Sequence, residues 1–261
     1  MDRMIQNDPR ATSARFDGKT AVITGGVSGM GAATAVLLAA GGADVVVTGR
    51  SDAAVDAARD RFTATTVTVV RSDAGDPDDI AALAGLVAER FDRLDLLFLN
   101  AGVAKPRALP SVTQELWDEV FAINVRGPFF TVQRFLPLLR PGSSVVVTTS
   151  MADRMGIEGL SVYGASKAAL RSLVRSLARE LAPQGVRVNA VSPGPIETAM
   201  VDKLGIPADA RADHHAATAS ENPSGRWGTA EEIARAVAFL AFDGTYTTGT
   251  ELPVDGGMTQ L

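Results

Sequence analysis

The run SVYGASK sets Tyr163 and Lys167 four residues apart. On a helix, residues so spaced lie one turn apart on one face. A phenol ionises near pH 10 in water, and a neighbouring ammonium favours the phenolate and lowers that value. Such a pair can exchange a proton near neutral pH, the work of a general acid or base. The chain has only two tyrosines, so one beside a lysine at this spacing is a specific signal. Ser150 closes the apolar run SSVVVTTS upstream. In an open α/β sheet the carboxyl end of a strand faces the ligand crevice.

A second group of residues suits an anion. TGGVSGMG carries Gly25, Gly29 and Gly31 between an apolar run and a helical pattern. Glycines permit a tight turn and close backbone approach to a diphosphate. The following helix N-terminus offers unpaired N–H groups and the positive end of its dipole. An NAD site expects an acidic residue about 20 residues on, at the end of the second strand. Here VVVTGRS supplies Gly49 and then Arg50. A guanidinium there can fork onto a 2′-phosphate and stack on adenine, which favours NADP over NAD. The alternatives are a solvated arginine beside a helix cap, Ser51, and a ribose contact from Asp52.

These residues need a scaffold. Apolar runs recur at 19–25, 43–49, 66–73, 94–100, 143–150, 186–193 and 250–255, with helical patterns between. The runs are nearly continuous, as in strands buried on both faces. Strands alternating with helices predict an α/β fold: a Rossmann-like, doubly wound, parallel seven-stranded sheet with helices on both faces. One domain is expected over 17–261, after a polar, flexible extension over 1–16. QELWDEVFAINVRGPFFTVQRFLPLL reads as one long helix. Residues 195–225 read as an irregular loop, and long loops in compact domains are more often functional than not.

Composition narrows the partners. A net charge of −5 argues against nucleic acid or an anionic membrane. The chain has no cysteine for disulfides, thiolate chemistry or metal ligation. His214 and His215 are adjacent, do not share a helix face, and read as solvated loop residues rather than metal ligands. No apolar run reaches the ~18–20 residues of a membrane span, and the N-terminal residues lack a signal peptide's apolar stretch. A cytoplasmic protein is the expectation.

Thr24-Gly25-x-x-x-Gly29-x-Gly31, Asn100-Ala101-Gly102, Ser150, Tyr163-x-x-x-Lys167 and Pro193-Gly194 follow the order and spacing of a known family. From about Phe16 to Met258 the chain resembles the short-chain dehydrogenase/reductase family in its single-domain short form. The resemblance implies hydride transfer between a nicotinamide and a small-molecule ketone or secondary alcohol. Tyr163 would be the acid in reduction and the base in oxidation. Lys167 would lower its pKa and hold the nicotinamide ribose. Ser150 would bond the substrate oxygen, and Asn124 would hold a water linking Lys167 to solvent. Val27, Ser28 and Met30 would join the three glycines, Arg50 and Ser51 around the cofactor. Asp73 and Ala74 would meet adenine, although Asp73 also reads as a turn residue. Asn100, Ala101 and Gly102 would line the cofactor and stiffen the sheet. Pro193, Gly194, Ile196 and Thr198 would seat the carboxamide and phosphates, with Thr198 as a helix cap the rival.

One departure stands out. Many NADP-using relatives carry a basic residue where this chain has Ser28, so Arg50 is the obvious cationic clamp. Candidate substrate walls are Val103, Met151, Met155, Leu160, Met200 and Leu204. Asp153, Arg154 and Glu158 read as charges near the mouth. The resemblance also implies a homotetramer built on the helix of FAINVRGPFFTVQRFL and the helix beginning at Tyr163. Phe129, Phe130 and Phe135 would pair there or fill the core. A 3-oxoacyl-acyl-carrier-protein reductase and a non-catalytic, redox-sensing nucleotide binder are the rival functions.

Overall fold

In the computed structural model, residues 15–63, 65–198 and 208–261 are described. The seven apolar runs become β1 (Thr20–Thr24), β2 (Asp44–Gly49), β3 (Val67–Arg71), β4 (Leu94–Leu99), β5 (Leu139–Thr148), β6 (Arg187–Pro193) and β7 (Glu251–Val254). They form one sheet in the order β3-β2-β1-β4-β5-β6-β7, every pair parallel. β4 is buried at every residue, whereas the edge strands β3 and β7 are half-buried. That gradient explains why the inner strands read as unbroken apolar runs. β1 pairs with both β2 and β4, so the winding reverses there and opens a crevice at the strands' carboxyl ends.

Helices cover both faces. On one, α1 (Gly29–Ala40), α2 (Asp52–Phe62) and α8 (Ala230–Ala238) enclose Leu38, Val45, Val47, Ile233 and Leu240. On the other, α3 (Pro77–Arg90), α5 (Gly127–Phe135) and α6 (Ser161–Leu181) enclose Leu83, Val132, Phe135, Leu170 and Val174. Local chemistry sets the helix starts. Asp76 caps α3 by accepting from the amides of Asp78 and Asp79, with Pro77 at its first position. Thr229 and Glu232 form a reciprocal capping box on α8.

Three expectations change. The long helix is broken into α4 (Gln114–Phe121), a wide π turn over Ala122–Arg126, and α5. Pro128 has no N–H for the carbonyl of Asn124 four residues earlier, so a regular ladder cannot continue. A Cβ on Gly127 would lie 1.9 Å from the carbonyl oxygen of Ala74, so only glycine admits this close approach. Residues 195–225 are not wholly irregular: Arg211–Glu221 form α7, which carries both histidines. The extension also ends before residue 16, because Phe16 is buried against Gly41 and Phe242 and its amide donates to the Gly41 carbonyl at 2.7 Å. Residues 1–14, with Met200 and Leu204, fall outside the described residues.

Candidate active site

α6 holds Tyr163 and Lys167 one turn apart near its N-terminus. It lies close against the short turn Met151–Asp153, since a Cβ on Gly164 would come 2.7 Å from the Ala152 carbonyl oxygen. Ser150 is extended and caps that turn, its Oγ accepting from the Ala152 amide at 3.2 Å. The same hydroxyl and the Tyr163 phenol line one cavity, and Ser150 favours the ionised phenol. Lys167 is 3% exposed and its Nζ donates to the Thr148 carbonyl at 2.8 Å. That nitrogen lies 5.7 Å from the centre of the Tyr163 ring.

The electrostatics differ from the expectation of a lowered phenol pKa. Burial pushes the Tyr163 phenol above 10.0, the Ser150 hydrogen bond acts against that rise, and the charge of Asp153 adds to it. Burial also brings Lys167 down from 10.5 to about 8, against the opposing pull of Asp153. The sequence shows that the two groups are neighbours, but not that Lys167 is buried and Tyr163 half-buried among protein atoms, which disfavours their charged forms. Ser150 is therefore the group seen to favour the phenolate in this geometry.

Asn124 sits in the π turn with no exposed surface. Its Oδ1 accepts from the Val103 amide at 2.9 Å, and its Nδ2 donates to the Val103 carbonyl and to Ser166 Oγ, each at 3.0 Å. One amide hydrogen thus pins the loop after β4, and the other ties the π turn to α6. A Cβ on Gly102 would come 3.3 Å from both Asn124 Oδ1 and Lys167 Nζ, so these groups flank one glycine. Asn100 ties three strand ends together. Its Nδ2 donates to the carbonyls of Thr24 and Gly25 at 3.3 and 3.1 Å, and its Oδ1 accepts from Thr148 Oγ1 at 3.4 Å.

The residues expected around a dinucleotide line one cleft: Gly25, Val27, Ser28, Gly29, Met30, Arg50, Ser51, Asp73, Ala74, Asn100, Ala101, Gly102 and Thr198. Gly25 and Gly29 have φ of +65° and +53°, and a Cβ on Gly25 would meet the Ala101 backbone at 2.9 Å. Ser28 precedes α1 without capping it, so the first-turn amides face the cleft without a side-chain acceptor. This is a backbone cradle of the kind a diphosphate needs. Gly31 serves packing instead, since a Cβ there would come 2.6 Å from the Gly25 carbonyl oxygen. Arg50 borders the cleft with its Nε 3.9 Å from Asp73 Oδ2. Asp73 is also a turn residue, its Oδ1 accepting from the Gly75 amide. Asp52 instead faces Arg71 at 3.3 Å.

A second cavity of about 400 Å³ lies over Ser150, Tyr163 and Lys167. Met30, Asn100, Gly102 and Thr198 line both recesses, so the two adjoin. Pro193, Gly194 and Ile196 line the second. Met151, Met155 and Leu160 form walls as expected, while Val103 lines the cofactor cleft instead. Trp227, Met258, Ile157, His214, Thr218 and Glu221 complete the cavity and are not legible in the sequence. Of these, His214, Thr218 and Glu221 do have helical spacing, which would group them once α7 is recognised. Trp227 anchors α7: its Nε1 donates to the His215 carbonyl at 3.0 Å and its ring stacks on His215.

A family model described as enoyl-(acyl carrier protein) reductase matches residues 25–259. A short-chain dehydrogenase/reductase (glucose/ribitol dehydrogenase) from Brucella melitensis superimposes with a TM-score of 0.87 at 33% identity, over 94% of this chain and 98% of that one. The chain belongs to the short-chain dehydrogenase/reductase family. The cis-4-hydroxycyclohexanecarboxylate dehydrogenase of Sinomonas cyclohexanicum is 40% identical over 94% of this enzyme and 98% of its own length. Pseudomonas aeruginosa RhlG, solved with NADP, aligns at a TM-score of 0.86 and 32% identity, over 95% of this chain and 99% of that one. As a short-chain dehydrogenase/reductase, this enzyme is an oxidoreductase of CH–OH and C=O groups and uses a nicotinamide cofactor for hydride transfer.

Proposed function

We propose that the enzyme interconverts a ketone and a secondary alcohol with NADP(H), using Tyr163 as the acid–base residue. The observation that carries this reading is that the glycine cradle adjoins the apolar cavity over Ser150, Tyr163 and Lys167. The nicotinamide supplies or accepts the hydride. Tyr163 gives its phenolic proton to the substrate oxygen in reduction and takes it back in oxidation. Ser150 holds that oxygen by a hydrogen bond as charge develops on it. Lys167 orients the ribose and keeps a positive charge near the phenol. Asn124 fixes the Val103 loop beside them through the bonds described above. Tyr163→Phe should abolish turnover while leaving cofactor binding within about twofold, read by nucleotide fluorescence and by absorbance in a ketone and alcohol panel. Full turnover by that variant refutes the role.

Three facts support NADP over NAD. Arg50 borders the adenosine end of the cleft, Gly49 has no side chain to repel a phosphate, and the rival Asp52 is turned toward Arg71. A relative carrying NADP is consistent with this reading. A 3-oxoacyl-acyl-carrier-protein reductase is the second reading, favoured by the description of the matching family model. Turnover of carrier-linked and free ketones in one assay separates the two.

We also propose a homotetramer of single-domain subunits in a cytoplasmic setting. Its pairing face would be the shallow groove between α5 and α6, lined by Val125, Phe129, Phe130 and Leu173. Phe129 and Phe130 meet edge to face at 5.2 Å and are each more than one-third exposed, while Phe135 belongs to the core.

A further inference from the structure

Asp153 reads in the sequence as a charge near the cavity mouth. Its side chain has no exposed surface in the structure. Both carboxyl oxygens are buried without a hydrogen-bond donor. Arg154 Nε lies 3.8 Å from Oδ1, within ion-pair range but too long for a hydrogen bond. The donors go to a second carboxylate. Glu251 Oε1 accepts from Thr149 Oγ1 at 2.6 Å. Glu251 Oε2 accepts from Arg154 Nε at 3.1 Å and pairs with Arg171 Nε at 3.0 Å. Glu251 is itself only 5% exposed.

Two buried carboxylates side by side, one lacking any donor, are unfavourable when both are ionised. A proton on Asp153 removes the difficulty, because a protonated carboxyl is a donor and Glu251 is an acceptor beside it. We propose that Asp153 and Glu251 share one proton, and that its loss from Asp153 adds to the barrier against ionising Tyr163. Asp153 is a positioning residue: it ends the turn that Ser150 caps, its amide bonding the Ser150 carbonyl at 3.0 Å. Its charge acts on both Tyr163 and Lys167. The surrounding charged groups are Arg154 on the same turn, Tyr163, Lys167 and Arg171 on α6, and Glu251 on β7; Arg175 of α6 lines the cleft next to Glu251.

The electrostatics agree with the geometry. Burial and then Glu251 raise Asp153 to about 7, against the pull of Arg171 and Arg154. Burial alone would raise Glu251, but hydrogen bonds from Asp153, Thr149 and Arg154 outweigh it and hold that group low. Below neutrality the pair carries one negative charge. Above it, a second appears close to the phenol and opposes the phenolate. Oxidation of an alcohol needs the phenolate as base, while reduction needs the phenol as acid. The ionised pair thus favours the reductive form of the site at alkaline pH.

This inference rests on Tyr163 as the acid–base residue, and its test has a readout that needs no turnover. Tyr246, the other tyrosine, is fully exposed, so a Tyr246→Phe background leaves Tyr163 as the sole tyrosinate chromophore. In that background Asp153→Asn should lower the pH at which tyrosinate absorbance appears. If the midpoint falls by about one pH unit, the phenolate fraction below it rises about tenfold. The rising limb of the alcohol-oxidation profile should move the same way. Infrared spectra of wild-type enzyme carrying carboxyl-labelled aspartate should show a protonated-aspartate band at about pH 6 that titrates away near neutrality. An unmoved tyrosinate midpoint in Asp153→Asn overturns the effect on Tyr163. Absence of the labelled band in wild type overturns the shared proton, whether or not the variant folds. Loss of turnover in Tyr163→Phe speaks only to the proposed chemistry and is read separately.

Discussion

Arg50→Ala should separate the two nicotinamide cofactors. A hydrogen bond to a charged partner contributes about 1.5–3 kcal/mol, and each 1.4 kcal/mol is about tenfold in affinity. The Arg50 side chain is 57% exposed and has Asp73 3.9 Å away, so screening and that competing carboxylate favour the lower end. At about 1.5–2 kcal/mol, the KM for NADPH should rise about ten- to thirtyfold. Loss of the guanidinium also leaves Asp73 unneutralised beside a 2′-phosphate, which moves NADPH further in the same direction. NADH has no phosphate there and should change less than about threefold, through lost adenine stacking alone. Initial rates with each cofactor at one saturating substrate give both numbers. Repeating them at high salt should shrink the wild-type preference, since the Debye length falls from about 8 Å at 0.15 M to about 3 Å at 1 M. Equal rises for both cofactors would falsify the phosphate-clamp assignment and return Asp52 and NAD to consideration.

Gly127→Ala should lower stability by about 1–3 kcal/mol in denaturant melts, because its Cβ would sit 1.9 Å from a backbone oxygen. Gly85→Ala on α3, where a Cβ meets nothing within 4 Å, should instead stabilise by about 0.5–1 kcal/mol; similar signs for the two would refute the packing argument. Lys167 titrates near 8 when folded and 10.5 when unfolded, so the unfolded chain binds more protons between these values and the burial cost falls as pH rises. Lys167→Met should therefore be more stable than wild type at pH 7 by up to about 3 kcal/mol, with the gap closing toward pH 10; a gap independent of pH counts against the buried ammonium. Phe129→Asp with Phe130→Asp should reduce the sedimentation mass of the assembly while leaving the monomer's circular dichroism intact. An unchanged mass places the pairing face elsewhere.

The strands are legible because β1, β2, β4 and β6 bury almost every residue, which leaves a continuous apolar record. The site residues are legible because glycine spacing and the Tyr–Lys turn are local. What escapes depends on distant contacts. α7 buries no side chain deeply, so its eleven residues carry no apolar stripe and read as loop. Trp227 and Met258 reach the cavity from chain segments far from Tyr163 in sequence. The raised phenol pKa comes from burial, which spacing cannot report. Asp153 reads as a charge near the mouth because nothing in MADRMG reveals that a glutamate from β7, nearly one hundred residues on, closes over it.

The clamp between Asn124 and Val103 has a consequence for motion. An asparagine amide that accepts from one residue's N–H and donates to its C=O copies the pairing of a neighbouring strand. The loop after β4 is therefore held as if in a sheet through residue 103, and its next backbone tie is the Arg107 amide to the Gly159 carbonyl at 2.9 Å. Its first part, which lines the cofactor cleft, is held at fixed register, and Ala104 just beyond it lines the substrate cavity. In hydrogen-exchange terms, the Val103 amide should be a loop amide with the lifetime of a strand amide. The register of the loop where the cofactor cleft meets the substrate cavity is thus set by one side chain.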